Sequence, residues 1–261
     1  MLRKYLKNHI ETNVPNKNVA VLMGGGVDAI SVALSAHDVG KVVHIYSFHL
    51  EGHESYDYLK AKEISQYMDW RFIGVSVKLR CRKKTHFECV FPFLYVYEKV
   101  EQKYVITGWG ADAYFGPSKK AMMRYSSPKK WDNYTRYCKE HKQKQLTFDE
   151  FRNEYLDGDC AGLKEHTRLA ELHNKKHITP YLDEKVRSYL MKKSWTELNT
   201  PRQKEIIRKA FTKLKKFGNI KPHINLHLGS GVDKLFETLL NNNEINFKGR
   251  KRMMDVCRDW Y

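Results

Sequence analysis

The segment Asn18-Val19-Ala20-Val21-Leu22-Met23-Gly24-Gly25-Gly26-Val27-Asp28 runs from a short apolar stretch through three glycines to a carboxylate. Val27, Ile30, Ala33 and Leu34 then recur at helical spacing up to His37, so the reading is strand, glycine loop, helix. Lys41-Val42-Val43-His44-Ile45-Tyr46-Ser47-Phe48 is a second, β-branched run bounded by Gly40 and Glu51-Gly52-His53, and Ser55 is placed to cap a helix reaching Tyr67. Arg71–Val75 and Tyr104–Thr107 supply two further strands, with a helix expected around Pro92 between Thr85 and Glu101. Strands alternating with helices call for an α/β fold, a parallel sheet sandwiched by helices.

Past Gly116 the strand-like runs give way to Lys-rich amphipathic segments, with helices expected near 129–144, 147–156, 162–174, 181–193, 202–216 and 232–242. Residues 1–116 are therefore expected to form the α/β core, and 117–261 a basic, mainly helical lobe completing the same domain. The net charge of +17 is uneven: residues 1–116 carry 15 Lys+Arg against 12 Asp+Glu, and residues 117–261 carry 32 against 18. That excess makes nucleic acid a candidate partner of the second half, against a merely solvated basic surface.

With 41% apolar and 13% aromatic residues the 261-residue chain can bury a core, and 7 Pro and 15 Gly are too few for a fibrous or disordered chain. No run approaches the ~20 apolar residues of a bilayer span, and Met1-Leu2-Arg3-Lys4-Tyr5 lacks the apolar stretch of a secretion signal. A cytoplasmic protein with no membrane partner is expected. The five cysteines form no C-x-x-C pair, which suits reduced thiols. His166, His173 and His177 stand at helical spacing, but no Glu or Cys completes a zinc set with them.

A glycine loop between a strand and a helix can hold a phosphate oxygen on backbone N–H groups with no side chain in the way. The loop is neither a Walker A sequence, since no Gly-Lys-Ser/Thr follows, nor G-x-G-x-x-G. In wider context it resembles the S-G-G-x-D-S loop of the PP-loop ATP pyrophosphatases, with Gly25, Gly26 and Asp28 matching and Gly24 and Ala29 replacing both serines. Thr107-Gly108-Trp109-Gly110-Ala111-Asp112-Ala113-Tyr114-Phe115-Gly116 is similar to a segment of the asparagine synthetases and the β-lactam synthetases. Thr179-Pro180-Tyr181-Leu182-Asp183, Lys204–Ala210 and His227-Leu228-Gly229-Ser230-Gly231 resemble later motifs of that family, in the same order.

The resemblance implies an adenine nucleotide α-hydrolase-like fold that uses ATP and Mg²⁺. A substrate carboxylate attacks the α-phosphorus, and the acyl-adenylate passes to an amine or ammonia. By resemblance, Leu22, Met23, Ser47, Phe48 and Gly108 hold adenine and ribose. Gly24, Gly25, Gly26, Val27 and Asp28 form the phosphate loop, and Thr107, Gly108 and Trp109 the facing loop. Asp28 and Asp112 are the matching Mg²⁺ ligands, Asp112 counting also as catalytic; the plainer reading has each aspartate capping its helix. Trp109 stands where the family has Glu or Tyr and cannot act as a base, and Ala113 replaces a second acid. The late catalytic lysine is displaced, leaving Lys221 or His223 near its place. No glutaminase domain precedes the loop, so ammonia or another amine is expected from outside, including from a separate protein. The carboxylate is expected on a small molecule or a nucleic acid. Two rivals remain: a PP-loop enzyme that modifies tRNA or DNA bases, and a pseudoenzyme that binds nucleotide or nucleic acid without turnover.

Overall fold

A computed structural model describes residues 1–78, 92–116, 124–158, 162–217 and 230–232. Lys221, His223, the basic loop around Cys81 and Cys89, nearly all of the helix expected at 232–242 and the cluster Lys248–Arg252 lie outside the described residues.

The chain opens with α1 (Leu2–Asn13), whose Leu2, Leu6 and Ile10 form one buried stripe. β1 (Asn18–Leu22), α2 (Val27–Asp38), β2 (Val42–Leu50), α3 (Tyr56–Tyr67), β3 (Arg71–Val77), α4 (Phe93–Lys99), β4 (Tyr104–Ile106) and α5 (Ala111–Phe115) follow. The amide of Tyr58 donates to Ser55 Oγ at 3.1 Å, so Ser55 caps α3 as its position predicts. Then come α6 (Pro128–Glu140), α7 (Phe148–Asp157), α8 (Leu163–Leu172), β5 (Lys176–Ile178), a 3₁₀ turn at Pro180–Leu182, α9 (Glu184–Met191), α10 (Trp195–Asn199), α11 (Glu205–Ala210) and α12 (Leu214–Phe217).

The five strands are all parallel, in the order β3-β2-β1-β4-β5. Alternate residues of β1 serve opposite faces. Val19 and Val21 join the cluster formed with α1, α2, α3 and the C-terminal helices, while Ala20 and Leu22 join the one containing Leu94, Val96 and Tyr97 of α4 and Leu169 of α8. Each fully buried aliphatic side chain contributes about 2 kcal/mol of transfer free energy. The chain steps outward from β1 through α2 and α3, and α4 then carries it back past β1 to β4. The chain direction across the sheet thus reverses at β1, and the turns that follow the neighbouring strands β1 and β4 lie side by side, flanking a crevice at their carboxyl ends.

Four elements differ from the sequence reading. Lys176–Ile178 is a strand, too short to stand out, and it pairs Ile178 with Ile106. α1 and α10 lie outside the helices expected from the sequence. The helix expected over 202–216 is two helices, because Lys204 adopts a left-handed φ of 60° and starts α11 only at Glu205.

Arg152 of α7 is 1% exposed and works as a cap for α9. Its Nη1 donates to Leu190 and Lys193 carbonyls, each at 3.1 Å, and its Nη2 to that of Met191 at 2.9 Å. These carbonyls lie at a helix end, where backbone donors run out, and that of Leu190 also accepts the Lys193 amide at 3.0 Å. Arg152→Met is expected to lower stability by about 3 kcal/mol in urea unfolding, because several buried acceptors lose their donors together. Asp149→Asn, which removes only an exposed carboxylate from the same guanidinium, is expected to cost less than about 1 kcal/mol.

Candidate functional site

The crevice is built by two glycine-bearing turns. Gly26 is the N-cap of α2 and sets Asp28 in its first turn. On the other side Gly110, at a left-handed φ of 85°, starts α5 and sets Asp112 in the first turn there. The turns touch at Gly108, where a Cβ would lie 2.7 Å from both the Asp28 carbonyl carbon and the Ala29 nitrogen. Only glycine permits that approach.

Lys204 joins the two turns. Its ammonium is ion-paired with Asp28 Oδ2 and stands 2.6 Å from Asp112 Oδ1. Burial alone lowers the affinity of Lys204 for its proton, but Asp112 and Asp28 outweigh this and hold it above the ordinary lysine range. The group thus stays charged, and its contribution to stability is lost only as pH rises through that raised value. Its backbone N–H donates to Asn199 Oδ1 at 2.9 Å, and Asn199 Nδ2 donates to the Phe115 carbonyl at 3.3 Å, so the lysine is fixed to the end of α5.

A buried tyrosine braces the same turn. The Tyr181 hydroxyl is 2.7 Å from Ser31 Oγ, which donates to the Asp28 carbonyl at 2.7 Å, and the Tyr114 hydroxyl donates to the Tyr181 carbonyl at 2.8 Å. Leu182 packs against Gly110, and Asp183 caps α9 while pairing with His9 at 3.0 Å. Thr179–Asp183 therefore supports the site by packing. Two carboxylates around one cation, both oxygen donors, fit Mg²⁺, and the Lys204 ammonium marks where a cation rests between them. Among the described residues no three His, Cys, Asp or Glu side chains gather to hold a metal.

Beside the aspartates lies a cleft of about 430 Å³. It brings together Leu22, Met23, Gly24, Ser47 and Phe48, five of the residues expected to hold nucleotide. Tyr46, Tyr58 and Phe93 add rings, and Ser55, Asp57 and Ser230 add polar groups that the sequence reading did not assign to a ligand. Phe48 and Phe93 meet edge to face at 5.6 Å. Gly25, Gly26, Val27 and Asp28 continue from the rim of the cleft into α2. Thr107 and Trp109 turn to a histidine pair instead.

The Thr107 hydroxyl is 2.8 Å from His177 Nε2, and the Thr167 hydroxyl is 3.2 Å from His177 Nδ1. His166, wholly buried, stacks on His177 at 5.3 Å, meets Trp109 at 4.2 Å, and has the Tyr97 hydroxyl 3.2 Å from its Nδ1. His173 lies instead on the Tyr97 ring, so the three helically spaced histidines do not share one metal position. Burial pushes His177 down to about 4, and burial with the neighbouring His177 pushes His166 well below the usual histidine range. Both rings are neutral in the fold, while the unfolded chain takes up protons near pH 6.5. Their contribution is thus fully present above pH 6.5 and declines as pH falls toward 4. In thermal melts from pH 7.5 to about 4, His177→Gln is expected to lose less stability on acidification than the wild type.

Among the described residues no helix is long and apolar enough to cross a membrane. No protein-family model and no curated protein matches the chain. Among solved structures, a predicted subunit of tRNA methyltransferase from Methanocaldococcus jannaschii is similar over 76% of this chain and 88% of that one, with 15% identity and a TM-score of 0.33. NMN synthetase from Francisella tularensis is similar over 96% of this chain and 99% of that one, with 11% identity and a TM-score of 0.28. Likeness at this level assigns no activity.

Proposed function

We propose that the chain is a PP-loop enzyme that binds ATP at this crevice, adenylates a carboxylate with release of pyrophosphate, and passes the acyl group to an amine. The observation that carries the reading is the convergence of Asp28 and Asp112 on one cation position, at the carboxyl ends of β1 and β4 and next to an aromatic cleft. Phe48, Tyr58 and Phe93 offer faces and edges for a purine, and Ser47 and Asp57 offer polar groups for its rim and ribose. The amides of Gly24–Gly26 and the start of α2 face the phosphates.

Asp28 and Asp112 would hold Mg²⁺, whose chemistry is to neutralise charge gathering on the departing pyrophosphate. Lys204 keeps the two carboxylates in register before nucleotide arrives. Trp109 packs on His166 and supplies no base, so the proton of the attacking amine is assigned to Lys221 or His223. The 32 Lys+Arg of residues 117–261 favour, as a second reading, a substrate carried on nucleic acid.

Calorimetry with ATP tests the proposal. The wild type is expected to bind ATP with Mg²⁺ and far more weakly without it, and Asp28→Asn to weaken Mg²⁺-dependent binding by about a hundredfold. No ATP binding in the presence of Mg²⁺ would sink the reading and leave a scaffold or a nucleic-acid binder. Lys204→Met leaves two carboxylates facing each other. Its melting temperature is expected to fall without divalent cation and to recover with Mg²⁺ by more than Mg²⁺ adds to the wild type.

A further inference from the structure

A second lysine lies at the glycine loop with no role in the reaction so far described. Lys60, in the second turn of α3, is only 6% exposed. Its Cδ would stand 3.1 Å from a Cβ on Gly25, so its stem runs along the loop. Among the described residues it makes no hydrogen bond and no ion pair. Burial lowers its proton affinity, while Asp57, whose carboxylate reaches the same glycine, favours the charged form. Arg208 of α11 acts on both Lys60 and Asp28, and its Nε is buried without a partner. Asp57 is the nearby carboxylate that favours the charge of Lys60, no hydrogen bond among the described residues fixes the ammonium, and its stem lies along the glycine loop at the start of the twelve-residue α2, an arrangement open to an anion from outside.

We propose that Lys60, backed by Arg208, is the side chain that binds a diphosphate group at Gly24–Gly26. The inference rests on the ATP reading above, in which that group is the β- and γ-phosphates of the nucleotide. As the substrate carboxylate oxygen bonds to the α-phosphorus, the bond from that phosphorus to the β-bridging oxygen breaks. The electron pair leaves with pyrophosphate, and Lys60 meets the added negative charge.

The test is calorimetric titration of inorganic pyrophosphate, ATP and AMP, each with Mg²⁺, into the full chain as wild type, Lys60→Met and Lys60→Arg. Lys60→Met is expected to weaken pyrophosphate and ATP by about ten- to a hundredfold and AMP by less than about threefold, with Lys60→Arg recovering most of the loss. Without ligand Lys60→Met is expected to melt no lower than the wild type, and to lose the rise in melting temperature that pyrophosphate gives the wild type. Pyrophosphate affinity within about twofold of wild type in Lys60→Met would overturn the assignment. So would equal weakening of all three ligands, or no pyrophosphate binding by the wild type. Pyrophosphate binding that depends on Lys60, without ATP binding, would uphold the site and sink the nucleotide reading. ATP binding that ignores Lys60 would do the reverse.

Discussion

One ammonium held between two carboxylates organises this molecule. Asp28 and Asp112 lie on different turns, and two like charges meeting in a half-buried crevice would force those turns apart without a cation between them. Lys204 removes the conflict, and it does so from a third element, so α2, α5 and the segment before α11 are drawn to one point. The left-handed backbone at Lys204 is the local cost of aiming the side chain there, and the bond from its N–H to Asn199 holds that conformation.

Sheet topology explains why that point is also where a ligand fits. Because α4 crosses back past β1, β1 and β4 are neighbours whose following turns meet at the carboxyl edge of the sheet, and the apolar ends of β1 and β2 wall one side of the crevice. Tyr181 seals the other side by reaching Ser31. The polar centre is thus framed by packing, and Pro180-Tyr181-Leu182 joins that frame through Tyr181 and Leu182.

Much of this was legible in the residues. Asn18–Asp28 reads as strand, loop and helix because its apolar run, glycines and helical spacing each stand alone, and Ser55 reads as a cap because of its place before an apolar period. Asp28 and Asp112 follow from their positions after the two glycine turns. Lys204, by contrast, opens the motif Lys204–Ala210, yet nothing in that pattern shows that its ammonium reaches Asp28 and Asp112. The partners of His166 and His177 come from residues up to 70 positions away, which no local pattern displays. β5 is three residues long and opens on the charged Lys176, which hides it. The stripe of Leu2, Leu6 and Ile10 in α1 is legible as helical spacing.

β5 also bears on the order in which the chain can mature. During synthesis β4 emerges well before β5, and until residues 176–178 arrive its outer edge presents unpaired amides and carbonyls to any passing strand. α1, the first helix made, likewise waits for α9 and α11, against which it packs. The nascent protein therefore carries a sticky sheet edge and a first helix covered on one side only, by α2, through much of its translation. A nascent-chain chaperone or fast elongation through that interval would govern how much protein reaches the native state.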